Sequence, residues 1–201
     1  MIIDKKNNLV FIHIPKTGGT SIHQWLSLQN NQTVSLWGCS NGIDYAHLTL
    51  SQALTLLTSF PKDSFKIAFV RHPYDRIYSA YLQPYRQMYP DLTLDEFVKH
   101  YVSKVDENNP DPKLVHLWPM YLFTCINGVN QVDFVGKMET WRKDIDFVKN
   151  RFKLKGTPGH LNQSNRLGDD PVFTSESLKI IDKVYKKDFE WFSYKSSMSN
   201  L

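Results

Sequence analysis

The sequence predicts an α/β fold of three layers, with a central parallel sheet flanked by helices. Three short apolar runs carry the first half of this expectation: Leu9 to Ile14, Phe65 to Val70 and Val132 to Val135. They are rich in β-branched and aromatic residues and lack the in/out alternation of a half-exposed sheet, as strands buried on both faces do. The helical pattern that follows each run carries the second half. Sheets of this kind bind ligands beyond the carboxyl ends of their strands. Functional residues are therefore expected directly after the first and second runs.

Each element has a local reason. After the first run, Ile22, Trp25 and Leu26 recur at the i, i+3, i+4 spacing of a buried helix face. After the second, Pro73 stands where a helix tolerates proline, in its first turn. Thr93 and Glu96 spell a capping box ahead of Phe97 and Val98. After the third run, Thr140 is placed to cap a helix with Ile145, Val148 and Phe152 on its inner face. A last helix is expected from about Ser175, through Leu178, Ile181, Val184, Tyr185 and Phe189.

Composition sets the outer bounds. The chain has 201 residues, 41% hydrophobic and 22% charged, which fits a packed globular protein and excludes disorder and collagen-like repeats. Without internal repeats or low-complexity tracts, one domain over residues 1–201 is expected. The apolar runs are far shorter than the ~20 residues of a membrane span, and the first residues lack a signal-peptide pattern. Cys39 and Cys125 form neither a disulfide framework nor a metal-ligand pattern. These features lead to the expectation of a soluble, cytoplasmic protein without a bound metal. The net charge of +4 suits an anionic small-molecule partner and falls short of a nucleic-acid binder.

The loop after the first run reads Pro15-Lys16-Thr17-Gly18-Gly19-Thr20-Ser21. Gly18 and Gly19 allow a tight turn with exposed N–H groups. Thr20 and Ser21 add hydroxyls, the helix start adds unpaired amides, and Lys16 adds a full charge. Together these residues describe a phosphate cradle. A nucleoside-triphosphate loop, by contrast, ends in Gly-Lys-Ser/Thr; here the lysine precedes the glycines.

The segment PKTGGTS resembles the 5′-phosphosulfate loop of sulfotransferases that use 3′-phosphoadenosine 5′-phosphosulfate (PAPS). Its spelling is that of the carbohydrate branch, the heparan 2-O- and chondroitin-type enzymes and their bacterial relatives. The resemblance implies a P-loop-like fold, with Lys16, Thr17, Gly18, Gly19, Thr20 and Ser21 on the cofactor and Lys16 also catalytic. It places the 3′-phosphate on Arg71 and Ser79, within Arg71-His72-Pro73-Tyr74-Asp75-Arg76-Ile77-Tyr78-Ser79. Arg76 is open to two readings, a buttress of that site or a surface pair with Asp75. His47, in Tyr45-Ala46-His47-Leu48, resembles the family's base candidate, against the plainer reading of a cap for a helix from about Ser51. His13 reads as a core histidine, His23 as a surface one and His72 as a helix-start residue near the cofactor.

Further matches are Gly136 to Glu139 and His160-Leu161-Asn162-Gln163-Ser164, which puts Asn162 and Ser164 over the cofactor. One departure stands out: Trp118-Pro119-Met120 replaces a Pro-Gln common in the glycan enzymes. The resemblance thus implies transfer of a sulfuryl group from PAPS to a hydroxyl of a saccharide, leaving 3′-phosphoadenosine 5′-phosphate (PAP), in a protein that a second copy could complete as a homo-oligomer. Two rivals stay open: a small-molecule kinase with a variant phosphate loop, and a non-catalytic module for an adenosine bisphosphate or a sulfated polymer.

Overall fold

The computed structural model describes residues 1–159 and 171–197. In chain order, strands β1 (Ile2–Asp4) and β2 (Leu9–Ile12) precede helix α1 (Gly19–Ser27). Strands β3 (Thr33–Ser35), β4 (Cys39–Ser40) and β5 (Ile43–Asp44) follow, then α2 (Leu50–Leu56) and β6 (Phe65–Val70). Next come α3 (Pro73–Ala80), α4 (Arg86–Met88), α5 (Leu94–His100) and α6 (Tyr121–Thr124). The last elements are β7 (Cys125–Ile126), β8 (Val129–Asn130), β9 (Phe134–Lys137), α7 (Trp141–Phe152), α8 (Ser175–Val184) and α9 (Lys186–Trp191). No described helix is long and apolar enough to cross a membrane.

The chain divides into two compact units. The first comprises Met1–Val70 and residues 122–159 and holds a five-stranded sheet in the order β3-β1-β2-β6-β9. Its centre is parallel as expected, β2 pairing with β6 and β6 with β9. The edge beyond β2 is antiparallel: β1 pairs with both β2 and β3, a ribbon the sequence reading did not anticipate. Leu9, Phe11, Ile67 and Phe69 pack with Ile22, Trp25 and Leu26 of α1 and with Ile145 and Val148 of α7. Val10, Ile12, Ala68 and Val70 are equally buried. Burial on both faces is why these strands read as unbroken apolar runs.

Two boundaries moved. The first strand ends at Ile12, because the backbone turns toward the loop before His13. The third begins at Phe134, two residues later than its apolar run, because Asp133 is occupied at the strand entrance, where its Oδ2 accepts from the Lys66 N–H at 2.7 Å. Thr140 stands at the N-cap of α7 as expected, but its hydroxyl donates to Asp144 Oδ2 at 2.5 Å instead of accepting from the helix backbone.

The second unit comprises Arg71–Tyr121 and residues 171–197. Its core gathers Ile77, Tyr81, Tyr85, Phe97, Val98, Val102, Leu117, Ile181, Tyr185 and Phe189. Both halves of the Thr93–Glu96 capping box form. Thr174 caps α8, and Asp95 ties the two helix starts together by accepting from the Thr174 hydroxyl at 2.9 Å and the Ser177 hydroxyl at 2.5 Å. The last helix, expected to run unbroken through Phe189, breaks at Tyr185 into α8 and α9. The break lets Tyr185 turn inward and donate its phenol proton to the Leu117 carbonyl at 2.7 Å.

Candidate functional site

In the first unit, the loop between β2 and α1 has the shape of an anion cradle. Lys16 (φ 67°) and Gly18 (φ 73°) both adopt left-handed backbone, which turns the chain sharply ahead of the helix. The two glycines are required for space as well. A Cβ at Gly18 would stand 2.8 Å from Met138 Sδ and 2.9 Å from Trp141, and one at Gly19 would collide with the His13 ring. Gly18 is the N-cap of α1, so no side chain caps the helix, and its first turn carries no acidic residue. Helix amides and the positive dipole end are thus left for a ligand.

The loop's other residues divide the work. Thr17 is fully buried and its hydroxyl donates to the Ile14 carbonyl at 2.9 Å, which closes the turn. Ser21 is buried on the first turn of α1, and Thr20 and Lys16 are half-exposed. The residues present fit a phosphosulfate group: a cationic side chain, a helix start without a cap and two positions where only hydrogen fits.

His47 lies beside this loop. It ends the short turn Tyr45–His47, while α2 is capped by Thr49 through a complete capping box with Gln52. The capping role weighed for His47 therefore belongs to Thr49. Its Nδ1 lies 3.0 Å from the His13 carbonyl oxygen. A carbonyl only accepts, so Nδ1 carries the proton; in the neutral ring this tautomer puts the lone pair on Nε2, the form a general base needs. The His47 and His13 rings are 4.4 Å apart, and His13 in turn packs against Gly19. One histidine thus links the base candidate to the cradle.

His23, expected at the surface, is 7% exposed. Its Nε2 is 2.6 Å from Ser35 Oγ, and its pKa is lowered to about 4, by burial first and then by the Met1 ammonium. Helical spacing alone could not reveal that β3 and Trp37 cover this face of α1. Trp37, which the sequence reading did not single out, stacks on His13 at 5.7 Å and meets the edge of His23 at 4.5 Å, yet stays 54% exposed. Its only sequence signal is a large aromatic in an irregular polar stretch.

In the second unit, α3 carries the other candidate residues. Pro73 opens it, Arg71 precedes it half-buried, and Ser79 is buried in its last turn. Arg76 is no surface partner of Asp75: it is 1% exposed and donates from Nη2 to the His116 carbonyl at 3.2 Å. Asp188, also fully buried, accepts from the N–H groups of Met120 at 2.8 Å and Tyr121 at 2.9 Å. Burial raises its pKa to about 6, against the pull of Arg76 and these two donors. Arg76, Tyr185 and Asp188 thus converge on residues 116–121, and the departure Trp118-Pro119-Met120 belongs to a segment held by buried polar groups. The His72 ring lies among Tyr74, Phe189 and Tyr194, with Nε2–H donating to the Lys195 carbonyl at 3.1 Å. Asn162 and Ser164 lie outside the described residues.

Carbohydrate sulfotransferase 11 of Rattus norvegicus is 22% identical, over 96% of this chain and 66% of that protein. The same enzyme of Mus musculus matches with the same figures. The chain thus spans 66%, just under two thirds, of the length of these relatives. The model of the sulfotransferase family matches residues 1–195, nearly the whole chain, and the protein belongs to that family.

Proposed function

We propose that this protein is a PAPS-dependent sulfotransferase that sulfates a hydroxyl of a saccharide, as one domain over residues 1–201. The observation that carries the reading is the Lys16–Ser21 loop, where neither glycine has room for a Cβ and the helix start has no cap. The saccharide acceptor is suggested by the names of the two relatives.

Bound PAPS supplies a sulfuryl group already activated by a phosphate leaving group. The chain's own residues do the rest. Gly18, Gly19, Thr20 and Ser21 hold the phosphosulfate with backbone and hydroxyl donors, while Thr17 fixes the turn. Lys16 brings the positive charge that a developing phosphate anion requires. Arg71 and Ser79 take the 3′-phosphate, the guanidinium as a planar fork and the hydroxyl as a further donor. His47 accepts the acceptor's proton at Nε2, its tautomer set by the His13 carbonyl.

Calorimetry with PAP and with ATP, together with labelled-sulfate transfer to a saccharide panel, tests the reading. PAP is expected to bind and ATP to bind at least tenfold more weakly. ATP turnover dependent on Mg²⁺ would overturn the assignment in favour of a kinase. PAP binding without sulfate transfer to any hydroxyl would leave a binding module.

A further inference from the structure

A cleft of about 380 Å³ runs along α1, lined by Thr20, His23, Gln24, Ser27, Ser35 and Trp37. It starts at the cradle, because Thr20 belongs to both, and it continues along one helix face through residues three, four and seven positions further on. The size is that of a small-ligand site. We propose that this cleft is the acceptor subsite for an uncharged pyranose residue, stacked on Trp37 and hydrogen-bonded by Gln24 and Ser27. The proposal rests on the sulfotransferase reading and adds to it the place and kind of sugar bound.

Three observations support it. Trp37 is held by His13 on one side and by His23 at its edge, yet more than half of it is exposed. A rigid, exposed indole offers an apolar face to the axial C–H groups of a pyranose ring at little ordering cost. Ring contacts also connect Trp37 to the base candidate, His47 against His13 and His13 against Trp37, with His13 itself buried between them. Finally, the polar groups of the lining are hydroxyls, an amide and an imidazole. His23 is held neutral, with its pKa lowered to about 4, and its Nδ1 has no hydrogen-bond partner among the described residues. A uronate or sulfated sugar placed here would find no cationic side chain in the lining to pair with its charge.

Saturation-transfer NMR decides the point with three probes: methyl β-galactoside, methyl N-acetyl-β-glucosaminide and methyl β-glucuronide. The two neutral glycosides are expected to receive saturation through their ring C–H protons, and the glucuronide at least threefold less. Trp37→Ala should cut the neutral signal at least fivefold and Trp37→Phe about twofold. Leu28→Arg, at a position 78% exposed at the cleft's mouth, should also reduce it and does so without touching the core. Equal signals from parent and folded variants, or a glucuronide signal equal to the neutral ones, would overturn the subsite. If Trp37→Ala does not fold, Trp37→Phe and Leu28→Arg give the answer. PAP calorimetry on the same samples separates the two readings. Failure of the parent to bind PAP sinks the sulfotransferase reading, whereas PAP binding without any dependence of the glycoside signal on Trp37 sinks only the subsite.

Discussion

The Lys16–Ser21 loop and the Arg71–Ser79 segment look alike as sequence: each is a polar stretch directly after a buried strand, with a basic residue and a hydroxyl. Physically they differ. The loop is shaped by what it lacks, two Cβ atoms and a side-chain helix cap. The second segment is shaped by side chains, and they split between roles. Arg71 stays half-exposed, while Arg76 is buried and holds the 116–121 segment together with Tyr185 and Asp188. A basic residue near a ligand motif is therefore no guide to its task; burial is.

The sharpest way to break this contrast is Arg76→Leu. It leaves Asp188 buried beside an apolar side chain and should cost about 3–5 kcal/mol in urea unfolding. Combining it with Asp188→Asn should recover part of that loss. A cost below about 1 kcal/mol would place Arg76 outside the fold's support. Next comes Lys16→Ala, expected to lower sulfate transfer about 10²–10³-fold while moving stability by no more than about 0.5 kcal/mol. Unchanged transfer would remove the lysine from the chemistry. Gly19→Ala should do both kinds of damage at once, because the new methyl meets His13: about 1–3 kcal/mol of stability, with weaker PAP binding by calorimetry.

The smallest net effect is in pH dependence, where the two units oppose each other. Asp188, with its pKa raised to about 6, keeps its proton in the folded chain after the unfolded chain has released it. Its contribution to stability therefore falls as pH rises from about 4 to about 6. His23, lowered to about 4, stays neutral when folded while the unfolded chain takes up a proton. Its contribution is lost as pH falls from about 6.5 to about 4. Relative to the parent, the melting temperature of Asp188→Asn should rise across this window with increasing pH, and that of His23→Gln should fall. Parallel curves would show that neither group titrates as its surroundings dictate.

Much of this was legible in the sequence where one physical cause dominates. Phe65–Val70 is a strand from end to end because it is buried throughout, and the Thr93–Glu96 box forms because its chemistry is local. The cradle was legible too, since glycines, lysine and helix start are neighbours in the chain. What escaped depends on distant partners. The β1 and β3 strands have three residues each, too short for periodicity to mark. His23 looked exposed until Trp37 and Ser35 covered it, and Arg76 stayed open between a buttress and a surface pair until Asp188 joined it from 112 positions further along the chain. The inward turn of Tyr185 likewise follows from its contact with Leu117, not from helical spacing.

The order in which the chain visits its two units has a cost in time. β6 pairs with β9, Ile67 opposite Phe134, yet the whole segment Arg71–Tyr121 is laid down between them. At the ribosome's pace of about 5–20 residues per second, β6 waits on the order of several seconds for its neighbour. During that interval a nascent hydrophobic ribbon shows an open edge, the template on which chains stick to one another. Holdase chaperones should therefore raise the yield of this protein most when they act before residue 137 emerges.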